Sequence, residues 1–195
     1  MEKLYVKKTM TEQAKISAEI KSKAAAVQLL LMDVDGVLTD GRLSYISDRD
    51  GKPQEFKHFD SQDGLGLLMF HSLGFKSGVI SGRDSIATTE RSRILGITHV
   101  YQGFLEKEAT FAEILAKEGL ETESVAFVGD DFTDYPLMRK AGFSCAVANA
   151  RPELRERADY VTTASGGRGA IREIVELILR SKGIWNQALT KYGLD

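Results

Sequence analysis

VQLLLMDVDG, residues 27–36, decides the fold. An apolar run that stops on acidic residues and a glycine is how a strand buried on both faces of a parallel sheet meets a loop. Similar runs recur at 76–80, 98–101, 124–128, 143–147 and 160–161, and helical patterns lie near 62–73, 84–95, 106–119, 131–141 and 168–182. Strands that alternate with helices predict an α/β protein built on a Rossmann-like, doubly wound parallel sheet. The last helix is the clearest, with Ile171, Ile174, Val175, Ile178 and Leu179 in one apolar stripe and Gly183 as its stop.

One segment breaks the alternation. RLSYISDRDGKPQEFKHF, residues 42–59, carries two short alternating runs around Asp50-Gly51, a pair favoured in tight turns, and predicts an inserted β-hairpin. Residues 1–26 place Ile16, Ile20 and Ala24 at helical spacing and predict an exposed helix outside the core. Residues 27–183 then form the main domain, and 184–195 a tail without a recognisable pattern, in which Trp185 is expected at a subunit contact.

Among the 195 residues, 26 Lys and Arg stand against 28 Asp and Glu, a net charge of −2 that indicates neither a nucleic-acid binder nor an acidic tail. The aromatic residues form no stacking platform for nucleic acid. No stretch reaches the ~18 apolar residues that span a membrane, and the N-terminus lacks the apolar centre of a signal peptide, so a cytoplasmic location is expected. Cys145, the single cysteine, cannot form an internal disulfide and reads as a buried small hydrophobe. His58, His71 and His99 lack metal-ligand spacing and read as structural, although His58 stands near enough to the hairpin's end to approach a substrate.

In a parallel sheet, ligands bind beyond the carboxyl ends of the strands. Three strands end there on polar groups: Asp33 and Asp35 before Gly36, then Ser81-Gly82-Arg83, then Gly129-Asp130-Asp131 with Asp134 a turn further on. Lys107 opens the helix after the short third strand. Carboxylates gathered on one rim repel unless a cation neutralises them, and an all-oxygen ligand set suits Mg²⁺. A hydroxyl and a lysine opposite the metal make a phosphate site. The pattern predicts a Mg²⁺-assisted phosphoryl-transfer centre with Asp33 as nucleophile and Asp35 as the acid that protonates the leaving oxygen and then activates water.

DVDGVLTDG at 33–41, SGR at 81–83, Lys107 and GDDFTD at 129–134 resemble the four motifs of the haloacid dehalogenase superfamily of phosphatases. FKHFDSQDGLG at 56–66, LGITHVYQG at 95–103, GDDFTDYPLM at 129–138 and ADYVTTASGGRGAIRE at 158–173 resemble the small subfamily that contains 3-deoxy-D-manno-octulosonate 8-phosphate phosphatase. The resemblance implies an aspartyl-phosphate mechanism acting on that sugar-acid phosphate in lipopolysaccharide synthesis. Mg²⁺ would be held by Asp33, Asp130 and the backbone carbonyl of Asp35, with Asp131 and Asp134 supporting these ligands. Ser81, Lys107 and the Gly82 amide would hold phosphate, and Arg83 the substrate's carboxylate or hydroxyls. It also implies no large cap domain and a homotetramer assembled through the hairpin, with Arg168 of the Gly166-Gly167-Arg168-Gly169 run near its own or a neighbour's site. A nonulosonate 9-phosphate substrate, another sugar phosphate, a phospho-acceptor signalling domain and an idle scaffold are the other readings. Asp35, two residues after the nucleophile, argues against the signalling domain.

Overall fold

The computed structural model describes residues 16–104 and 106–194. Six parallel strands form the sheet in the order β5-β4-β1-β6-β7-β8. They are β1 Leu29–Met32, β4 Lys76–Ile80, β5 His99–Tyr101, β6 Val125–Gly129, β7 Phe143–Ala146 and β8 Tyr160–Val161. β1 is central, with Leu29–Met32 in register against Lys76–Val79 on one side and Val125–Val128 on the other. All four β1 residues and all five of β6 are buried, as continuous apolar runs in a two-sided sheet must be. From β1 the chain works outward to β5, crosses back to β6 and continues to β8. The carboxyl end of β1 is therefore where the winding reverses, the place at which such sheets open a crevice.

The insertion after β1 is a hairpin, as the Asp50-Gly51 pair predicts. β2 Ser44–Ser47 pairs antiparallel with β3 Pro53–Phe56. Asp48 closes the turn, accepting from the amides of Asp50 (2.9 Å) and Lys52 (2.8 Å).

The helices are α1 Ala18–Ala26, α2 Ser61–Ser72, α3 Ile86–Leu95, α4 Glu108–Glu118, α5 Tyr135–Lys140, α6 Pro152–Arg155, α7 Ala170–Ser181 and α8 Trp185–Thr190. α7 buries the whole stripe read from the sequence, Ile171, Ile174, Val175, Ile178 and Leu179, between α1, α2 and the sheet. Each such side chain contributes about 1.5–3 kcal/mol by leaving water. α5 starts at Tyr135 rather than 131, because Asp131–Asp134 forms a turn (Asp134 N to Asp131 O, 2.9 Å) ahead of Pro136.

Two expectations change. The N-terminal helix is not outside the core: Ala24 and Val27 are fully buried, and Ile16 and Ile20 pack against the core. α7's apolar stripe needs a cover beyond the sheet edge, and α1 provides it, tied by Lys182 Nζ to the Ala25 carbonyl (2.7 Å) and by Lys23 to Asp159 (2.5 Å). The part of the expected helix at 1–15 lies outside the described residues. The tail after Gly183 forms α8, and Trp185 packs within its own chain at 8% exposure, beneath the Arg180 guanidinium 4.4 Å from its ring. That contact supersedes the expected subunit role, since an indole is large enough to close the end of the α2–α7 seam.

Asp63 in the first turn of α2 is 1% exposed and reaches across to the start of α7, accepting from the amides of Gly169 (3.2 Å) and Arg172 (2.8 Å). It satisfies α7's orphan amides from a neighbouring helix. Asp63→Ala leaves buried donors without a partner and is expected to lower the unfolding free energy by about 2 kcal/mol, read as an earlier urea midpoint. Asp63→Asn, which keeps an acceptor, loses less.

Candidate active site

Asp33 follows β1 directly, and its amide extends the ladder by one bond to Val128 O (3.0 Å), so the carboxylate stands on the most constrained backbone of the fold. The chain then folds tightly: the amides of Val37, Leu38 and Thr39 all approach the Val34 carbonyl, and Thr39 Oγ1 accepts from Gly36 and Gly41. Gly36 is required twice over. Its φ is +92°, and a Cβ there would stand 2.1 Å from Asp130 Oδ2.

The turn is clamped from behind. Asn149 Nδ2 donates to Gly36 O (3.0 Å), Asn149 Oδ1 accepts from the Gly166 amide (2.6 Å), and the Gly167 amide donates to Val37 O (2.9 Å). A Cβ on Gly166 would stand 1.8 Å from Gly36 O. Gly166 and Gly167 thus serve backbone contact with the turn after Asp33, and Asp63 holds the run's other end.

Lys107 links two strands' worth of carboxylates. It is 3% exposed, with Nζ 2.9 Å from Asp33 Oδ1 and a hydrogen bond of 2.7 Å to Asp134 Oδ1. Asp134 is fully buried, and its other oxygen accepts from the amides of Asp130 (2.9 Å) and Asp131 (3.3 Å). Burial works against the Lys107 ammonium, but Asp134 and Asp33 more than offset it and hold its pKa above the ordinary lysine value. Asp33 is pushed up to about 7, mainly by burial and then by Asp134, against the pull of Lys107. Asp130 is pushed up to about 8 by burial, with Asp134, Asp33 and Asp131 adding repulsion.

Oxygens of Asp33, Asp130 and Asp134 lie within 4.8 Å of one another. They are not equivalent. Both Asp134 oxygens are taken by donors, whereas Asp130 Oδ1 is buried without a hydrogen-bond partner. An orphaned buried carboxylate oxygen beside a second carboxylate, both pressed toward protonation by burial and repulsion, is the environment that a hard divalent cation relieves.

A cleft of about 290 Å³ opens above this cluster, lined by Asp33, Asp35, Gly41, Ser81, Gly82, Arg83, Lys107, Asp130, Asp131 and Thr133. Ser81 is buried after β4 and its Oγ accepts from the Arg83 amide (3.2 Å). Of the residues singled out by sequence, Asp134 lies behind the cleft, and Arg168 lies outside its lining, largely exposed and 4.0 Å from Asp40. His58 is also outside the lining, edge-on to Phe56, while His71 and His99 hydrogen-bond Ser77 and Glu118. Cys145 is fully buried, and burial pushes its thiol up.

Sequence reasoning missed Tyr45, Glu55 and Lys57, which the hairpin brings to the rim. Arg83 Nη2 donates to Glu55 Oε1 (2.7 Å) and to the Tyr45 hydroxyl (3.2 Å), and Lys57 Nζ donates to Asp35 Oδ1 (2.6 Å). The available signal was the i, i+2 spacing of Glu55 and Lys57 at the end of β3, which sends both the same way if the chain stays extended.

The profile of a family described as haloacid dehalogenase-like hydrolase matches residues 85–174. The 3-deoxy-D-manno-octulosonate 8-phosphate phosphatase KdsC of Escherichia coli is 43% identical over 173 residues, 89% of this chain and 90% of that protein. The crystal structure of the phosphatase of that name from Yersinia pestis superposes with a TM-score of 0.82 at 38% identity, covering 87% of this chain and 89% of that one. One from Moraxella catarrhalis, solved with magnesium, phosphate and a KDO molecule, gives 0.83 at 38% identity, covering 89% and 98%.

Lys107→Met would leave Asp33, Asp130 and Asp134 without their cation. A loss of about 3–5 kcal/mol in unfolding free energy is expected, partly recovered when Asp134→Asn is added. An unchanged urea midpoint in Lys107→Met would contradict this account of the cluster.

Proposed function

We infer the reaction from the premise that the chain belongs to the 3-deoxy-D-manno-octulosonate 8-phosphate phosphatases, among the haloacid dehalogenase-like hydrolases. It is a phosphoric monoester hydrolase that converts 3-deoxy-D-manno-octulosonate 8-phosphate to the free sugar acid and phosphate, in the supply of lipopolysaccharide precursors. The observation that carries the reading is the meeting of Asp33, Asp35, Ser81, Lys107 and Asp130 in one cleft of a chain so close to these enzymes.

An Asp33 oxygen attacks phosphorus in line with the departing sugar oxygen, which takes its proton from Asp35. Asp35, now a carboxylate, removes a proton from water as the water attacks the aspartyl-phosphate and frees Asp33 and phosphate. Lys107, the Ser81 hydroxyl and the Gly82 amide hold the phosphoryl oxygens, and Arg83 offers a fork for the substrate's carboxylate. Asp33, and Asp130 with its orphaned Oδ1, would hold Mg²⁺, and the family resemblance adds the Asp35 carbonyl as a third ligand, with Asp131 and Asp134 organising these groups. When bound, Mg²⁺ neutralises charge on the transferring phosphoryl group.

The assembly reading is a cytoplasmic homotetramer built through the hairpin of residues 42–59 on a catalytic unit of 27–183. It is supported by the exposed Leu43, Tyr45, Ile46 and Phe56, which a monomer would leave in water. Arg168, exposed, outside the lining of its own cleft and 4.0 Å from Asp40, would then serve a neighbour's site. Among the described residues no helix is long and apolar enough to cross a membrane.

Phosphate release from 3-deoxy-D-manno-octulosonate 8-phosphate is expected to exceed that from nonulosonate 9-phosphates and hexose phosphates, and to vanish with EDTA or in Asp33→Asn. Full activity in Asp33→Asn would end the mechanism. Mg²⁺ at 100-fold excess over its Kd is expected to stabilise the fold by about 2.7 kcal/mol, a shift in melting temperature that Asp130→Asn removes.

A further inference from the structure

The hairpin does more than expose apolar side chains. Glu55 in β3 and Lys57 just after it reach Asp35 and Arg83 of the cleft lining and close a ring of alternating charge with them. Lys57 Nζ lies 2.6 Å from Asp35 Oδ1 and 3.9 Å from Glu55 Oε2; Glu55 receives Arg83 Nη2 at 2.7 Å; Arg83 Nε lies 3.7 Å from Asp35 Oδ2. The Lys57 side chain is 2% exposed, so this is not a solvated surface pair.

Two details separate Lys57 from the rest of the ring. Among the described residues it is the one hydrogen-bond donor to the Asp35 carboxylate, and Asp35 Oδ2 is buried with no hydrogen-bond partner. A buried ion pair is weak evidence for stability, since desolvation of the two charges cancels much of their attraction. A carboxylate that must hand over a proton in a fixed direction has a separate need: its plane must be held in one orientation. Misplacing a reacting group by 1 Å can cost about 10²-fold in rate.

We propose that Lys57 is a positioning residue for the reaction. It fixes the Asp35 carboxylate through Oδ1 and so holds in one orientation the group that gives the proton to the departing sugar oxygen and then takes one from water. The inference rests on Asp35 being the acid and base. It makes the hairpin part of the chemistry, because Lys57 follows β3 directly and moves with it.

The test is a double-mutant cycle on the holoenzyme with saturating Mg²⁺ and 3-deoxy-D-manno-octulosonate 8-phosphate. Lys57→Met is expected to lower kcat about 10- to 100-fold with KM within about twofold, and Lys57→Arg, which keeps a donor, to recover most of the loss. In the Asp35→Asn background Lys57→Met is expected to cost no more than about twofold further. A residue acting only on stability would lower activity in both backgrounds alike. With p-nitrophenyl phosphate, whose leaving group needs no proton, Lys57→Met is expected to keep the initial burst of nitrophenolate and slow the steady state that follows.

Wild-type kcat in Lys57→Met, or an equal fall in both backgrounds, overturns the proposal while leaving Asp35 in place. Wild-type kcat in Asp35→Asn removes the acid-base reading and Lys57's role with it. Urea titration checks folding of each variant. If Lys57→Met does not fold, Lys57→Gln, of similar size with a neutral donor, carries the same cycle.

Discussion

One buried ammonium holds the centre together. Lys107 bridges Asp33 and Asp134, and without it three carboxylates would face one another at the end of β1 and β6 in a medium that screens poorly. Their geometry depends on that one cation in two ways. Asp134, fixed by Lys107 on one oxygen and by two amides on the other, sets the loop that aims Asp130. Asp33, pulled toward Lys107 yet pushed toward protonation by burial and Asp134, is kept in a state that a second cation completes. The repulsion is thus retained as part of the site, and it is the environment that the proposed Mg²⁺ would relieve.

Around this cluster the fold is arranged as a vice. The β1 ladder holds Asp33 from one side, and the Gly166-Gly167 backbone presses on the turn from the other, with Asn149 bonded to both. Neither jaw could be made of bulkier residues, since a Cβ at Gly36 or Gly166 would overlap a carboxylate or a carbonyl. Asp63 then ties this strap to α2.

Much of this was legible in the chain. Apolar runs ending in acid and glycine gave the sheet, because burial on both faces leaves no alternation to confuse with a helix. Asp33, Asp35, Ser81, Lys107 and Asp130 could be placed at one rim because parallel strands put all their carboxyl ends on the same side. What stayed hidden depends on packing between distant segments. That α1 covers α7 follows from how wide α7's stripe is relative to the sheet, which no local pattern states. Trp185 read as an interface residue for want of a visible partner, and its partners, Arg172 and Arg180, lie on the helix just before it. The Gly166-Gly167-Arg168-Gly169 run drew attention only for Arg168, because a glycine's need for space shows only when the neighbouring backbone is known. Lys57 and Glu55 sat in a hairpin whose alternation was noticed but whose inward face could not be assigned without its docking.

The strap on the nucleophile turn also bears on when the enzyme comes into being. Asn149 and Gly36 are 113 residues apart, as are the ends of the other ties within a few positions: Asp63 reaches Gly169 across 106 residues and Arg172 across 109. A chain growing from its N-terminus carries Asp33 early and Asp130 much later, and acquires the strap only after β8. Until then the turn after Asp33 lacks the Gly166-Gly167 backbone behind it, and its full closure must wait for contacts of high sequence separation, the slow kind in folding. Catalytic competence is therefore a late and collective event in the birth of this protein, and an unfinished chain holds its reactive carboxylates without the means to use them.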